Sequence, residues 1–432
     1  MLVRTPGGKA NQHHAMRIAL VTYAIQVGGV ETVIRWLGAF FRDQGHTVDV
    51  METESQGRWS ALFERQGISV RRLLPKPTES RLRHARRLAG ALSHYDVLVL
   101  NNAAAAQAAL GLLPTDAVVL PVLHSGLTSF YKNATGNAEN WDAVVAVSPA
   151  LQRNLIDYWG IPCERARYIC NGIPVADAWP KRHETWGENR PLKLVYVGAV
   201  ESVQKGVLRI PDILRKIARG GGEVSIDVVG GGPDLDALRW QCAALPSTIQ
   251  STFHGSLANA EAMRILAQAD GLLMPSNFEG MPIVLLESMA AGVVPVVSRL
   301  EGCTDVVVEH GLNGCLAEIG RADQFAEAIL SLAKDRSRLA SMSEACWRRA
   351  HDRLDYRIMG SAYLDLALEL LEYRKRKNAL RSGILDRSLL GDLPWLPRCM
   401  VRPVRKALRV VGRFPPSQHE PLLFRPTKGS TT

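Results

Sequence analysis

The 432-residue sequence predicts an α/β protein of two Rossmann-like domains whose parallel sheets face a central cleft. Apolar strand-like runs alternate with helical patterns along most of the chain, the order that yields parallel sheets covered on both faces. A polar stretch at 176–189 interrupts that order and divides it into two halves. Loops rich in glycine or carboxylates follow several strands, at the ends where open α/β sheets bind ligands.

In the first half, a strand at 17–23 leads through Gln26-Val27-Gly28-Gly29-Val30 into a helix at 31–44, closed by Gly45, and a strand at 48–51. That is one βαβ unit. Further strands fit 96–100, 117–123 and 143–147, and Ser148-Pro149 reads as a helix cap followed by a helix start. The second half takes strands at Leu192–Val197, Val224–Val229, 251–254, Gly271–Met274 and 293–298, again alternating with helices. A long helix at 356–371 closes the fold. The expected division is a polar tail at 1–15, domains at 16–180 and 190–350, a closing helix at 355–373 and a basic extension at 374–432.

Composition narrows the class. Hydrophobic residues at 47% and charged residues at 22% describe a globular chain. Seven cysteines, scattered and without CxxC spacing, argue against a disulfide framework or zinc site and fit a reducing compartment. No apolar run has the length of a membrane span, and the N-terminus lacks the apolar core of a signal peptide. Met16, just ahead of the first strand, is a candidate start. The net charge of +10 is concentrated: from Tyr373 onward there are 14 Lys/Arg against 3 Asp/Glu. The basicity therefore bears on localisation and not on the fold.

The most informative stretch is Asn277-Phe278-Glu279-Gly280-Met281-Pro282-Ile283-Val284-Leu285-Leu286-Glu287. Pro282 suits a first helical position, and 283–291 then runs as a short apolar helix stopped by Gly292. The free N–H groups of its first turn offer an anion site, and Gly280 lets the backbone approach a ligand closely. Glu279 precedes that site and Glu287 lies about a turn further in. One carboxylate could hold sugar hydroxyls and the other a ribose, with phosphate between them. Taken alone, the pair fits a solvated loop Glu and a helix Glu equally well.

Ser276-Asn277-Phe278-Glu279-Gly280-Met281-Pro282, Glu287, Gly292-Val293-Val294-Pro295-Val296-Val297-Ser298 and Asn313-Gly314 together resemble the donor half of family-4 retaining glycosyltransferases, which have the GT-B fold. The resemblance implies that Glu279 contacts the donor sugar and Glu287 the nucleotide ribose, and that 277–282 line the donor site. It also implies that the closing helix crosses back to the first domain. Gly28-Gly29, on sequence alone a phosphate loop or equally a plain tight turn, resembles the family's turn facing the donor diphosphate and acceptor. His124 ends a strand, where a lone His is commonly structural; the resemblance places it at the acceptor side. Asn171-Gly172-Ile173 matches a turn at the domain interface.

Tyr196-Val197-Gly198-Ala199-Val200-Glu201-Ser202-Val203-Gln204-Lys205-Gly206 resembles the diphosphate loop, with Lys205 as its cation. Ala199 stands where the family usually has Arg. A leaving diphosphate gains charge, so a lost cation should lower the rate unless Arg209, one turn beyond Lys205, replaces it. Gly230-Gly231-Gly232-Pro233 resembles the glycine-rich turn near the nucleotide. Asp234-Leu235-Asp236 spells a metal-binding DxD, but two Asp at a helix start are more simply dipole partners, and no metal or cofactor is expected.

Two basic amphipathic segments remain. In 80–93, Leu82, Ala85, Leu88, Ala89 and Leu92 share one side, with Arg83, Arg86 and Arg87 opposite, as on an ordinary solvated face. In 403–414, apolar Val404, Ala407, Leu408 and Val411 back a basic face, with Trp395 and Phe414 flanking, which is how an interfacial helix looks. The expected function is therefore retaining, metal-independent sugar transfer from a nucleotide-sugar to a glycan or lipid-linked saccharide, in cell-surface polysaccharide or glycolipid biosynthesis. The expected place is the cytoplasmic face of an anionic membrane, with soluble catalytic halves that survive removal of residues after Arg387. Ala199 alone supports the alternative of a catalytically weak partner subunit. No recognised motif supports nucleic-acid binding.

Overall fold

The computed structural model describes residues 15–113, 116–180, 190–377, 381–390, 393–401 and 403–404. The N-terminal sheet contains β1 (Arg17–Thr22), β2 (Thr47–Glu52), β3 (Ser69–Arg72), β4 (Val97–Asn101), β5 (Val118–Leu123), β6 (Val144–Ala146) and β7 (Ala166–Tyr168), in the spatial order 3-2-1-4-5-6-7. The C-terminal sheet contains β8 (Leu192–Val197), β9 (Val224–Val229), β10 (Ile249–Gly255), β11 (Gly271–Met274), β12 (Val294–Ser298) and β13 (Cys315–Ala317), in the order 10-9-8-11-12-13. Strand pairing is parallel throughout the described residues. Both sheets reverse direction of growth beside their first strand, which opens a crevice at the strands' carboxyl ends. Central strands β4, β5, β11 and β12 are buried on both faces and are Val/Leu-rich without alternation, as sandwiched parallel strands are.

The two halves meet along a continuous set of contacts. Ile173 forms a parallel bridge with Asp355, and Ala150 N–H donates to Gly302 O at 3.0 Å. Trp347 Nε1 donates to Ala176 O at 3.0 Å, and Arg153 pairs with Glu301 at 3.2 Å. Ser148 caps the helix Pro149–Asp157 by accepting from Leu151 N–H. The long helix packs against the N-terminal domain. It spans Tyr356–Lys377, sets the Tyr356 ring at a tilt of 41° to Trp36 of the helix Gly29–Asp43, and pairs Arg374 with Asp142 at 2.6 Å.

The C-terminal extension differs from the expected independent tail. Residues 381–390 and 393–401 strap across the N-terminal domain. Ser382 N–H donates to Asn140 Oδ1, Gly383 N–H to Gly111 O and Asp386 N–H to Ala108 O. Arg81 donates to Leu390 O at 2.7 Å, Ser80 bridges Pro397, and Arg398 pairs with Glu54 at 3.0 Å. Leu390 is buried against the core. The helix Arg81–Leu92 lies beneath this strap, with Arg83 and Arg86 exposed. Arg87, expected on the solvated face, instead binds Glu79 and Leu74 O and holds the Glu79 carboxyl down at about 2. Of the second amphipathic segment, 405–414 lies outside the described residues, as do 1–14 and most of the 176–189 linker. No helix of the described residues is long and apolar enough to cross a membrane.

The strap makes the first domain dependent on the end of the chain. Leu390→Ala should destabilise by about 2–5 kcal/mol, the usual range for emptying a buried Leu site. Truncation after Lys377 should lower the melting temperature more than truncation after Val404, read by differential scanning calorimetry.

Candidate active site

The sheets' carboxyl ends enclose a cavity of about 560 Å³ lined from both domains. On the N-terminal side stand Gly28, Gly29, Trp59, His124 and Ser125; on the C-terminal side stand Gly198, Ala199, Lys205, Gly230, Glu279 and Glu287. Gly280, Met281 and Pro282 also line it, so most of the expected residues converge. Their local chemistry follows from the loops that carry them.

Glu279 is 5% exposed yet fully engaged. Lys205 Nζ donates to both its oxygens at 2.8 and 2.9 Å, Ser276 Oγ donates to Oε1 at 2.8 Å and Gln204 Nε2 to Oε2 at 3.1 Å. A buried carboxylate needs this density of donors to offset its lost hydration. Lys205 is thus tied to Glu279, and not left as an isolated cation for a diphosphate. It is held by the short helix Ser202–Lys205, whose first turn Glu201 caps by accepting from Gln204 and Lys205 N–H. Gln204 and Ser276 were not singled out from sequence; Gln204's place beside Lys205 on the loop was the available signal.

Two expected donor contacts lie elsewhere. Asn277 does not line the cavity; its Nδ2 donates to Ser202 O and Val203 O, and its Oδ1 accepts from Arg209 at 2.6 Å. Phe278 is buried outside the cavity wall. Arg209 also donates to Pro275 O, so its guanidinium secures this loop and does not enter the space beside Ala199. Lys205 is the one Lys or Arg lining the cavity among the described residues. Pro282 is the N-cap of the helix Ile283–Ala290, with extended backbone (φ −71°, ψ 115°), one place earlier than expected. The amides of Ile283 and Val284 remain the first-turn donors, since Leu285 N–H already donates to Pro282 O at 3.1 Å.

Glu287 is half-buried on that helix, and burial lifts its pKa to about 7 while Arg35 opposes the shift. Arg35 comes from the helix Gly29–Asp43 of the opposite domain, lies over Trp36, and keeps a buried Nε without a hydrogen-bond partner. Burial likewise raises Glu31.

His124 is 9% exposed, and burial depresses its pKa to about 4, so it is neutral at pH 7. Asn101 orients it. The Asn101 amide nitrogen faces Val21 O and Val99 O, which leaves Oδ1 to accept from His124 Nε2 at 2.8 Å. The proton therefore sits on Nε2, and Nδ1 keeps its lone pair. Asn101, the polar end of an otherwise apolar strand, was visible in the sequence but not singled out. A β-carbon placed on Gly280 would lie 1.9 Å from His124 O. The absent side chain at 280 thus accommodates the opposite domain's backbone as well as any ligand. Asp236 is fully solvated, and no group of three metal-binding side chains occurs among the described residues.

Residues 27–177 match the family described as "Glycosyltransferase Family 4", and residues 180–348 match "Glycosyl transferases group 1". The glycogen synthase of Mycobacterium tuberculosis is 26% identical over 247 residues, 55% of this chain and 58% of its own. The "GDP-mannose-dependent alpha-(1-6)-phosphatidylinositol monomannoside mannosyltransferase" of the same organism is 30% identical over 257 residues, 56% of this chain and 63% of its own. The matched region thus spans less than two thirds of each relative's length. The crystal structure of Anabaena Alr3699/HepE in complex with UDP superposes with a TM-score of 0.68 at 20% identity, over 82% of this chain and all of that one. The chain belongs to the family-4 glycosyltransferases and has their GT-B fold.

Gly280→Ala should push the domains apart at His124, at about 1–3 kcal/mol for overpacking a close contact. Small-angle scattering should show a larger radius of gyration, with the individual domains still folded by circular dichroism.

Proposed function

We propose that this protein is a retaining glycosyltransferase that moves a sugar from a nucleotide-sugar to a hydroxyl of a glycan or lipid-linked saccharide. The observation that carries the reading is the convergence of Glu279, Lys205, Glu287, His124 and the glycine turns on one interdomain cavity. Glu279 holds donor sugar hydroxyls, Glu287 the ribose, and the first-turn amides of helix Ile283–Ala290 the diphosphate. In the front-face displacement the bond from sugar C1 to the phosphate oxygen breaks while the acceptor oxygen bonds C1 on the same side. The acceptor proton passes to the leaving phosphate oxygen. Lys205, swinging from Glu279 or bridging it to phosphate, and the amides stabilise the charge that develops. Neutral His124 positions the acceptor side through Nδ1.

Amides and Lys205 can take the part of a metal, so the reaction runs without one. Surface polysaccharide or glycolipid assembly at the cytoplasmic face of an anionic membrane fits the basic extension, each Lys or Arg near such a surface being worth about 1 kcal/mol. A second reading, a weak enzyme acting as a glycan- or nucleotide-binding partner subunit, is favoured by one observation. No arginine of the described residues fills the place beside Ala199, since Arg209 is turned to the Pro275–Asn277 loop. Ala199→Arg should raise turnover on the first reading; a nucleotide-binding protein that transfers no sugar with either residue supports the second.

The direct test screens nucleotide-sugars for thermal stabilisation, then measures transfer. Glu279→Ala should abolish transfer with modest loss of nucleoside diphosphate affinity, and wild-type activity should persist in EDTA. Normal turnover by a folded Glu279→Ala protein, or a strict Mg²⁺ or Mn²⁺ requirement, would count against the assignment.

Glu287 gives a pH test. Ribose hydroxyls favour its charged form, whereas burial in the free protein favours the protonated one. Nucleotide binding should therefore release a proton below pH 7 and tighten as pH rises through about 7. Calorimetry in buffers of different ionisation heat should show this release, and Glu287→Gln should remove the component that Glu287 contributes.

A further inference from the structure

On the N-terminal side of the cavity, two loops that are distant in sequence are locked together by one buried carboxylate. Glu52, at the end of β2, has no solvent exposure. Its Oε1 accepts from Ile25 N–H at 2.9 Å and from Gly57 N–H at 2.6 Å, its Oε2 accepts from Ser60 Oγ at 3.0 Å, and Arg72 stands 3.4 Å away. The loops touch as closely as backbones can. Trp59 N–H donates to Ile25 O at 3.0 Å, and a β-carbon on Gly57 would fall 2.0 Å from that same oxygen.

This clamp presents Trp59. Its backbone is fixed on both sides, since Trp59 O also accepts from Leu62 N–H at 2.8 Å at the start of the helix Ser60–Arg65. Its side chain is only half-buried and lines the cavity, where it is the one Phe, Tyr or Trp among the described lining residues. Its indole N–H makes no hydrogen bond within the described residues. Trp59 packs in part against the core and leaves the rest of its ring open to the cleft with its polar handle free, as a ligand platform does. The same cavity is also lined by His124, with Nδ1 unpartnered among the described residues, and by Ser125 with its hydroxyl. An apolar plane bordered by hydrogen-bonding groups suits a pyranose, which offers C–H groups on one face and hydroxyls around its rim. An acyl chain would need a longer apolar groove.

We propose that Trp59, positioned by the Glu52 clamp, is the platform of an acceptor subsite that stacks a sugar ring, so that the acceptor is recognised by a saccharide unit and not by a lipid chain. The proposal rests on the glycosyltransferase reading of the same cleft and adds to it the residue that recognises the acceptor's sugar ring.

Saturation-transfer NMR tests it on the full chain, with methyl α-D-mannopyranoside and methyl α-D-glucopyranoside as probes and saturating UDP or GDP present. The wild-type protein should transfer saturation to the C–H protons of one ring face. Trp59→Ala should weaken that binding by about 10- to 100-fold, as expected for losing a large buried apolar contact, and Trp59→Phe should largely retain it. UDP and GDP affinity, measured by calorimetry, should be the same in all three proteins, which also reports correct folding. Equal saturation transfer in Trp59→Ala overturns the proposal. So does a loss of nucleotide affinity in that variant, which would make Trp59 a base contact. Absence of pyranoside binding by a wild-type protein that binds UDP or GDP overturns it while leaving the transferase reading standing. Failure of wild type to bind either nucleotide removes both.

Discussion

Nothing larger than a hydrogen atom stands between the α-carbon of Gly280 and the carbonyl of His124, and the cleft is organised around that contact. It lets the loop carrying Glu279 reach across to the end of β5. It thereby brings a carboxylate from one sheet and an imidazole from the other to one cavity. Asn171 reinforces it by donating to Met281 O at 3.4 Å, and the Ile173–Asp355 bridge closes the interface near the crossing helix. Two open sheets alone supply the crevice. The backbone contact sets how far apart its walls stand.

Three glutamates near the cavity are buried to different degrees and for different ends. Glu52 has four partners and works as a fixed clamp, whereas Glu279 is paired with Lys205, which also lines the cavity. Glu287 has only the distant help of Arg35, and burial lifts it into the neutral range. The state of Glu287 follows from burial with few donors around its oxygens, not from residue type. The same rule explains His124, whose single partner Asn101 fixes its tautomer but cannot support a second proton.

Much of this was legible in the sequence, where periodicity and loop chemistry coincide. Leu192–Val197, Val224–Val229 and Gly271–Met274 fall where the apolar runs place them, because sandwiched strands leave an uninterrupted signal. The strands β3, β7 and β13 were missed. Ser69–Arg72 carries two arginines on a sheet edge, while Ala166–Tyr168 and Cys315–Ala317 are three residues long, too short to show a period. Glu279, Glu287, Lys205 and His124 stood out by their loops, but Asn277 could not be told from a ligand contact until its partners Arg209, Ser202 and Val203 were placed. Partners far apart in sequence, such as Glu52 with Ile25 and Gly57, leave no local trace. The strap was misread for the same reason: its basic composition is visible, its docking against 80–140 is not.

That docking also governs the order in which the molecule can be completed. Arg81 meets Leu390 across 309 positions of sequence, and Asn140 meets Ser382 across 242. Chains emerge from the ribosome N-terminus first, and domains generally fold as they appear. Here the sheet β1–β7 can assemble early, but the helix Arg81–Leu92 keeps an uncovered face until the whole C-terminal domain and the crossing helix have been made. During that interval the exposed face is open to chaperones and to misassociation. The first domain to be synthesised is the last to be finished.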